Sequence, residues 1–434
     1  MTPAARLSAA IELLATIESE KRPADQVASL FFKTRRFIGA KDRRAVAEVV
    51  WRVLRHKARI DWWLERLDHP AEARARVLAD HVLSHGLPDI SLFQGVYSPP
   101  PPGREEKKMM ETLKGCDIFH RDQPAWVRGE FPEWMTARLT DLWGDDLPRE
   151  VGTMRDEAPL DLRVNTLKGN RDDAIKSLAA EKVKAEPCRW SPLGLRLSER
   201  VPMVQMQAWR TGLVEIQDEG SQLVALLADA KPGQAVCDYC AGAGGKTLAL
   251  AAGMQNKGRL VACDVAEWRV DKAQERLRRA GVHNVTRRVI SGASDKWIKR
   301  SAASFDCVLV DAPCTGTGTW RRNPDAKWAL TEQDLLELVD SQRVILASAA
   351  RLVKPGGRLV YATCSILPDE NEKQVAAFVE SHPDFHVVPV PSLWDSQVGT
   401  QCPVDGPYLR LTPFAHGTDG FFAAVLERRY TISQ

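Results

Sequence analysis

The sequence predicts an α/β protein in which a doubly wound parallel sheet follows a small α+β module and an all-helical N-terminal domain. From about residue 215 onward, short β-branched runs alternate with helix-period segments, a pattern typical of parallel sheets with helices on both faces. Before residue 140 the recurring pattern is instead the four-residue step of amphipathic helices. The 434 residues leave room for about three domains at roughly 150 residues each.

The predicted helical domain covers residues 1–140. Apolar pairs recur every four residues from Ala45 to Leu54 within DRRAVAEVVWRVLRHKARIDWWL, which indicates an amphipathic helix. SPPPPGREEKK, from Ser98 to Lys108, is predicted to be an exposed loop, because consecutive prolines lack amide donors and fix φ. Residues 1–60 hold 13 Lys and Arg against 6 Asp and Glu. Phosphate-backbone binding would use this asymmetry, although many basic faces are only solvated.

The α+β module is predicted over residues 150–214 and the parallel sheet over 215–434. In the module, LDLRVN is a predicted strand, RDDAIKSLAAE a helix, and the segments around KAEPCRW and LGLRLS are short strands. The strands of the sheet are AVCDYC, RLVACD, TRRVIS, DCVLVD and RLVYATC. Predicted helices cover Glu267–Gly281 and Thr331–Val353, the second ending before the stop signal KPGG. FFAAVLE predicts a further strand at an antiparallel edge.

Composition and cysteine usage exclude several classes of protein. No stretch approaches the roughly 18 apolar residues of a membrane span, and Glu12, Glu18 and Glu20 interrupt the first apolar run. Secretion and membrane insertion are therefore not indicated, and we expect a cytoplasmic protein. Nine cysteines, an odd number, do not form a disulfide framework. Cys237 and Cys240 make a CxxC without a second Cys/His pair at metal-ligand spacing, so we predict no metal site.

A glycine-rich turn follows the first strand of the predicted sheet. In DYCAGAGGKT, residues 238–247, glycines at 242, 244 and 245 permit a tight turn whose backbone approaches a ligand closely. The turn is not a phosphate loop, because Cys240 stands where that pattern needs glycine. Asp264 closes the second strand, where a carboxylate accepts hydrogen bonds from ribose hydroxyls; a helix N-cap is the alternative role. These features predict an adenosine-containing cofactor, which suits dehydrogenases and methyltransferases alike.

Two further motifs place a cysteine just after a strand. DCVLVDAPC runs through Asp311 to Cys314, and VYATC ends in Cys364. Because the fourth and fifth strands of such sheets commonly lie side by side, the two thiols are expected to converge. Either cysteine alone is as well explained as an inert core residue, but two at corresponding strand ends favour chemistry.

The reaction that needs such a pair is methylation at carbon 5 of a pyrimidine, a carbon too weakly nucleophilic to attack a sulfonium methyl directly. A thiolate attacks carbon 6, carbon 5 accepts the methyl group, and a base removes the carbon-5 proton before the thiolate leaves. A donor to ring nitrogen 3 must accompany the attack, and Asp311, if protonated, is the nearest candidate.

The motifs DYCAGAGGKT, VACD, DAPCTGTG followed by RRNPDAKW, VYATCSILPDENE and GTDGFF together resemble the RsmB/NSUN-type RNA cytosine-5 methyltransferases. The resemblance covers roughly residues 160–434 and includes RVN at Arg163–Asn165. FFKTRRFIGAKDRRAVAEVVWRVLRH resembles the NusB-like RNA-binding domain of the bacterial rRNA members. The resemblance implies a Rossmann-like class I methyltransferase domain, S-adenosylmethionine as methyl donor, and RNA as partner.

The resemblance also implies residue roles that spacing alone does not assign. Cys364 is the nucleophile of the TC motif, and Cys314 of the PC motif helps to release the methylated product. Lys246 and Asp311 lie near the target cytosine, and Asp311 is also close to the donor methyl. The predicted cofactor-binding residues are Cys240, Ala241, Gly242, Ala243, Gly244, Gly245, Lys246, Asp264, Arg269 and Asp311.

Two departures from the family pattern affect the cofactor site. The usual first motif has Ala-Pro where this chain has Gly242-Ala243, so the turn is expected to be looser. The family also places an aspartate after the third strand to contact the adenine side, whereas VISGAS puts Gly292 there. Asp295 is the candidate substitute. We therefore expect the adenine contacts of this chain to differ from the family's.

These observations predict an S-adenosylmethionine-dependent RNA cytosine C5-methyltransferase that works as a monomer through a cysteine–C6 adduct. The helical extension favours small-subunit (16S) rRNA as substrate, with tRNA as the alternative. A non-catalytic RNA-binding assembly factor would need neither thiol. A dehydrogenase would have no reason for two strand-end thiols.

Overall fold

The computed structural model describes residues 1–430. The chain forms two compact units: residues 1–156 together with 320–331, and residues 157–319 together with the chain from 332 onward. The first unit is helical, as predicted, around one apolar core that includes Leu13, Val50 and Leu78. Its α-helices are Pro3–Ser19, Ala24–Thr34, Ala40–Arg55, Lys57–Arg66, Ala73–His85, Arg104–Leu113, Ala125–Gly129, Thr136–Trp143, Leu147–Thr153 and Ala326–Ala329, with 3-10 turns at Ile90–Phe93, Glu133–Met135 and Gly144–Asp146.

Two local predictions for the helical unit need correction. The amphipathic pattern from Asp42 onward does not make one helix, because the backbone at His56 leaves helical geometry (φ −111°, ψ 20°) and a new helix starts at Lys57. The proline-rich loop is also shorter than predicted. A helix begins at Arg104, where the Glu106 carboxylate accepts a hydrogen bond from the Gly103 amide and so satisfies an exposed donor at the helix start.

Residues 320–331, which contain the RRNPDAKW motif, pack within the helical unit. The Trp328 indole donates to the Leu54 carbonyl at 3.1 Å, and Asp325 accepts from the Ala24 amide at 2.9 Å. Lys327 is buried there. This segment follows the Cys314 motif in sequence but belongs to the core of the N-terminal unit.

The second unit begins with a four-stranded antiparallel sheet, in the order β2-β3-β1-β4. Its strands are β1 Leu160–Val164, β2 Ala185–Pro187, β3 Gly194–Leu197 and β4 Val214–Ile216. The helix Arg171–Ala180 packs its Ala174 and Leu178 into the core of this module, as predicted. A short helix, Gln207–Arg210, and a 3-10 turn, Met203–Gln205, precede β4.

The larger sheet of the second unit has eight strands, in the order β10-β12-β9-β8-β5-β6-β7, with β11 also paired to β12. They are β5 Ala235–Asp238, β6 Arg259–Asp264, β7 Val285–Val289, β8 Phe305–Asp311, β9 Val353–Thr363, β10 Phe385–Val388, β11 Leu409–Leu411 and β12 Phe421–Arg428. The helices of this part are Glu219–Leu227, Gly245–Gly253, Glu267–Ala280, Lys296–Arg300, Glu332–Ala350, Glu372–Ser381, Val390–Gln397 and Pro413–His416.

Strands β5 to β9 are parallel and doubly wound, which confirms the predicted fold class. The chain runs from β5 outward to β6 and β7, then returns to β8 on the other side of β5. Ligands of such sheets bind at this switch point, beyond the carboxyl ends of the strands. Separate apolar clusters around Val308 and Leu309 show that alternate residues of β8 bury against opposite faces.

The C-terminal strands differ in two details from the prediction. FFAAVLE forms β12, which is antiparallel as expected, but it lies inside the sheet because β10 pairs with its outer side. KPGG does not separate a helix from a strand: the helix ends at Ala350 and these residues already belong to β9. All nine cysteines are free thiols. Within residues 1–430, no helix has both the length and the apolar character needed to cross a bilayer.

Candidate active site

The glycine turn between β5 and the helix Gly245–Gly253 forms the floor of the candidate site. Gly242 and Gly244 both have positive φ, +54° and +83°, so side chains there would strain the backbone. A Cβ at Gly242 would meet nothing within 4 Å, which leaves this part of the turn open to a ligand. The Ala241 amide donates to the Cys263 carbonyl at 2.8 Å and fixes the turn against β6.

Asp264, at the end of β6, organises this turn. One carboxylate oxygen accepts from the Gly242 amide at 2.9 Å and the other from the Ala266 amide at 2.8 Å. The N-cap of the following helix is Ala266, so Asp264 is not the N-cap. A carboxylate has about four acceptor positions. Two amides leave acceptor capacity for the hydroxyls of a ribose, and Asp264 lines the cavity described next.

A cavity of about 440 Å³ opens above the turn, within the range of pockets that hold a small cofactor. Nine of the ten predicted cofactor-binding residues line it, and Gly244 does not. The nine are Cys240, Ala241, Gly242, Ala243, Gly245, Lys246, Asp264, Arg269 and Asp311. The open glycine, the carboxylate with spare acceptors and the volume together fit an adenosine-containing group.

The far wall of the cavity includes Gly292, which stands where the family has an aspartate. Gly292 lines the cavity with Ile290 and Ala293, so this wall is apolar or backbone. Asp295 is not among the residues that line the cavity. Its oxygens accept from the Ser291 and Trp297 amides at 2.9 and 2.8 Å, and it caps the helix Lys296–Arg300. The backbone at Gly292 has φ +119°, which disfavours an aspartate at that position.

Lys246 and Asp311 form an ion pair at the mouth of the parallel sheet. The Lys246 ammonium donates to Asp311 Oδ2 at 2.7 Å. Burial opposes the charge on Lys246, but the charge and the hydrogen bond of Asp311 outweigh it and raise the lysine pKa above its ordinary value; the Cys364 sulfur adds to this effect. The contact with Asp311 therefore favours the charged form of Lys246, which donates to Asp311 as its acceptor.

The two thiols meet, as the sequence predicts. Asp311 of β8 pairs with Ala362 of β9, so Cys314 and Cys364 follow at the same edge of the sheet. Their sulfur atoms are 3.4 Å apart and both residues are half-buried. The hydrogen bond between the sulfurs, with burial, raises the pKa of Cys314 well above its ordinary value. Cys314 therefore stays protonated and can donate a hydrogen bond to the Cys364 sulfur.

Sequence reasoning missed several residues that support the site. Asp238 is fully buried, and burial raises its pKa to about 7, while the Thr247 hydroxyl donates to it at 2.6 Å. Arg163 of the RVN motif donates to the Gly245 carbonyl at 3.0 Å. Glu370 and Asn371 bond to the turns that carry the cysteines. These residues belong to the RVN and PDENE motifs, so the sequence did single out their motifs. Their hydrogen-bond partners are distant in sequence, however, and a single sequence does not predict such pairings.

A second group of side chains with metal-ligand chemistry joins the small antiparallel sheet to the start of the helix Glu219–Leu227. Ligand atoms of Asp161, Cys188 and Glu219 lie within 4.8 Å of one another. The Arg196 guanidinium already supplies the positive charge, since it donates to both oxygens of Asp161 at 2.7 and 2.8 Å and pairs with Glu219 at 3.5 Å. This group is therefore a salt-bridge network.

Comparison with known proteins agrees with this geometry. Residues 225–427 match the family model of the 16S rRNA methyltransferases RsmB/F, and residues 131–204 match the ferredoxin-like domain of RsmF/B-like methyltransferases. Ribosomal RNA small subunit methyltransferase B of Sodalis glossinidius is 31% identical over 415 residues, 89% of this chain and 90% of that one.

Two solved structures resemble this one beyond the sheet itself. The structure of the protein PH0851 has a TM-score of 0.81 at 27% identity and covers 99% of both chains. A methyltransferase homologue from Pyrococcus horikoshii has a TM-score of 0.61 at 32% identity, over 70% of this chain and 97% of that one.

Proposed function

The chain belongs to the RsmB/F family of S-adenosylmethionine-dependent methyltransferases, and on that premise we propose that it methylates carbon 5 of a cytosine in small-subunit rRNA. The single observation that carries the proposal is the 3.4 Å approach of the Cys314 and Cys364 sulfurs. A methyltransferase acting on an exposed nitrogen or hydroxyl has no need of this pair, whereas a C5-methyltransferase must first activate its carbon covalently.

S-adenosylmethionine, when bound, supplies an electrophilic methyl group on a sulfonium. The protein residues that would hold it are the glycine turn from Cys240 to Lys246, with Asp264 at the ribose hydroxyls and Arg269 at the rim of the same cavity. The apolar wall at Ile290 and Ala293 would receive the adenine, which then depends on packing and backbone contacts for its recognition.

In the proposed reaction the Cys364 thiolate forms a bond to carbon 6 of cytosine, and the ring's electron pair moves toward carbon 5 and nitrogen 3. The Lys246 ammonium, paired with Asp311, would offer a charged donor to the cytosine ring as negative charge develops there. Carbon 5 would take the methyl group from the sulfonium, whose sulfur would leave as a neutral thioether. The carbon-5 proton then passes to solvent, and its electron pair re-forms the ring double bond and expels the Cys364 sulfur from carbon 6 as a thiolate.

We assign product release to Cys314. Its thiol stays protonated because its pKa is raised, and it lies within hydrogen-bonding distance of Cys364. A hydrogen bond donated to the departing sulfur stabilises the thiolate as the adduct breaks. This assignment makes Cys314 a donor in the release step, in line with the role that the family resemblance implies.

The proposed substrate follows from the names of the relatives and from the helical unit. The relative from Sodalis glossinidius is named as a small-subunit rRNA enzyme and matches over 89% of this chain. The first unit, whose first 60 residues are strongly basic, would bind the RNA backbone. We place the reaction in the cytoplasm, with one chain as the working enzyme.

Two substitutions test the chemistry. We expect Cys364→Ala to abolish methylation and to form no covalent complex, whereas Cys314→Ala should accumulate a protein–RNA complex that survives a denaturing gel. Normal methylation by Cys364→Ala would refute the mechanism. Bisulfite sequencing of total RNA from cells with and without the gene identifies the substrate: one lost 5-methylcytosine in small-subunit rRNA supports the proposal, and a loss in tRNA instead overturns the substrate assignment.

A further inference from the structure

Two consecutive buried side chains contact the turns on which the thiols lie. Glu370 and Asn371 are 0% and 1% exposed and lie just before the helix Glu372–Ser381. Burying a carboxylate and an amide costs free energy unless hydrogen bonds satisfy them. The partners of these two side chains therefore show what the burial achieves.

Glu370 holds the turn of Cys314 on both sides. Its carboxylate accepts from the Thr315 amide at 2.8 Å and from the Thr315 hydroxyl at 2.5 Å. The Gln342 amide nitrogen donates to the same carboxylate and to the Pro313 carbonyl, both at 2.9 Å. The residues before and after Cys314 are thus tied, directly or through Gln342, to one side chain.

Asn371 holds the turn of Cys364 in the same way. Its carbonyl oxygen accepts from the Thr363 hydroxyl at 2.6 Å, and its amide nitrogen donates to the Ser365 carbonyl at 2.9 Å. These two partners are the residues immediately before and after Cys364. Neither Glu370 nor Asn371 bonds to a sulfur atom, so their hydrogen bonds act on the thiols through the turns. The charge of Glu370 also helps to raise the pKa of Cys314 directly.

We infer that Glu370 and Asn371 are positioning residues that together set the separation of the two thiols. Because the two side chains are neighbours on one backbone, they join two turns that lie 50 residues apart in the chain. This inference rests on the proposed function and deepens it. It assigns each side chain to one step: Asn371 serves attack by Cys364, and Glu370 serves release through Cys314.

Because the two side chains serve different steps, their loss should slow different steps, whereas general destabilisation would slow both. Loss of Asn371 frees the turn of the nucleophile, and a misplacement of about 1 Å costs on the order of 100-fold in rate. We therefore expect Asn371→Ala to slow adduct formation about 100-fold. Loss of Glu370 frees the turn of Cys314 only, so Glu370→Ala should form the adduct at nearly the unaltered rate and then accumulate it.

The experiment measures the two steps separately on the full-length protein with S-adenosylmethionine. A small-subunit rRNA transcript made with 5-fluorocytidine reports adduct formation, because fluorine at carbon 5 cannot leave as a proton does. The ordinary transcript reports release, as the fraction of protein that remains covalently bound to RNA during turnover. Glu370→Gln keeps the size and an acceptor oxygen, and should restore release.

Gln374→Ala is the matched control. Gln374 is a buried amide in the following helix that donates to the Val339 carbonyl at 2.8 Å. Its loss removes a comparable buried hydrogen bond without touching either cysteine turn, so neither step should change relative to the other.

Partner-side variants keep the test valid if an alanine variant fails to fold. Thr315→Val removes the hydroxyl bond to Glu370 together with the 3.3 Å bonds of that hydroxyl to Thr317 and Ser365. Thr363→Val removes the bond to Asn371 together with the 3.2 Å bond that the Thr363 hydroxyl accepts from the Ser365 amide. Both changes keep the shape of the side chain. They should reproduce the release defect and the attack defect, respectively. Parallel loss of both steps in all variants, in proportion to their loss of thermal stability, would overturn the inference.

The same assay separates failure of the inference from failure of the proposed function. If Cys364→Ala forms no adduct and Cys314→Ala accumulates one, yet the Glu370 and Asn371 variants do not divide the two steps, only the positioning inference is wrong. If the unaltered protein forms no adduct with the fluorinated transcript, both the covalent mechanism and the inference are wrong.

Discussion

Among the described residues, each of the two units buries one lysine, and the pKa values of the two lysines shift in opposite directions. Lys246 in the second unit is 8% exposed, and its pKa is raised because Asp311 contacts it at 2.7 Å and outweighs the effect of burial. Lys327 in the first unit is 2% exposed, and burial lowers its pKa to about 8. Its nearest ring, that of Trp328, lies 5.0 Å from the ammonium.

The difference shows that burial alone does not decide whether a lysine is charged. In the described part of the chain no carboxylate forms an ion pair with Lys327, and the charge of Glu130 only partly offsets the loss of water. Glu130 itself is fully buried, and burial raises its pKa to about 8. A buried charge persists where a contacting partner replaces water. The Lys246 ammonium has such a partner in Asp311, whereas Lys327 loses its charge as the pH rises through about 8.

Lys246→Met keeps about the length of the side chain, removes its charge, and should have the largest effect on the reaction. Loss of a charged donor at a reaction centre lowers kcat by about 100- to 1000-fold. Single-turnover methylation of a small-subunit rRNA transcript measures this effect, and calorimetry checks that S-adenosylmethionine still binds. Lys327→Met is the matched control, because it removes a buried lysine from the helical unit and should leave the single-turnover rate nearly unchanged. Equal losses in both variants would contradict a special role for Lys246.

The buried titratable groups of the helical unit should make its stability depend on pH. Between the ordinary pKa of Glu130 and its folded value of about 8, the folded state binds the extra proton, so stability falls as pH rises. His56, whose pKa is lowered to about 4 by burial and by nearby positive charges, acts in the opposite direction up to its ordinary value of 6.5. Above pH 8 the unfolded state keeps the proton that Lys327 has lost, so stability rises again.

We therefore expect the first unit to be least stable near pH 8. Hydrogen exchange of its peptides measures this, since the unit is followed apart from the rest of the chain. Glu130→Gln should remove a slope of at most about 1.4 kcal/mol per pH unit below pH 8, and Lys327→Met should remove the rise above it. A pH profile that neither substitution changes would show that these groups do not carry the buried charge.

The sequence predicted the elements that local pattern determines. The strands that lead to Asp264, Asp311 and Thr363 end where β-branched runs give way to turn residues, and these ends form the site. Strand order depends on pairing between distant segments, so the sequence did not predict that β10 pairs with the outer side of β12. The helical pattern also continues through His56, where only the tertiary structure shows the break.

Long-range contacts account for the rest of what the sequence did not show. Lys327 packs in the helical unit, although the Cys314 motif just before it in sequence belongs to the second unit. Glu370 meets Thr315 across 55 residues. A buried polar side chain is identified by its partners, and a single sequence does not name them.

The smallest expected effects come from the exposed cations of the helical unit. Residues 267–300 of the second unit are also basic, with 10 Lys and Arg against 4 Asp and Glu, and they supply the comparison. Lys33, Arg36, Lys41 and Arg44 are exposed, and in the described residues none of them forms an ion pair. Each cation that neutralises a phosphate contributes about 0.7–0.9 to the slope of log affinity against log salt.

Replacing these four residues with glutamine should flatten that slope for a small-subunit rRNA transcript, with each single replacement giving a fraction of the effect, while affinity for S-adenosylmethionine stays unchanged. The matched control replaces four exposed cations of the second unit, which are Lys272, Arg278, Lys299 and Arg300. A larger change from the first set assigns backbone binding to the helical unit. Equal changes in the salt slope would mean that RNA binding is spread over both units. Each exposed cation would then contribute a similar small amount to the slope, whichever unit it belongs to.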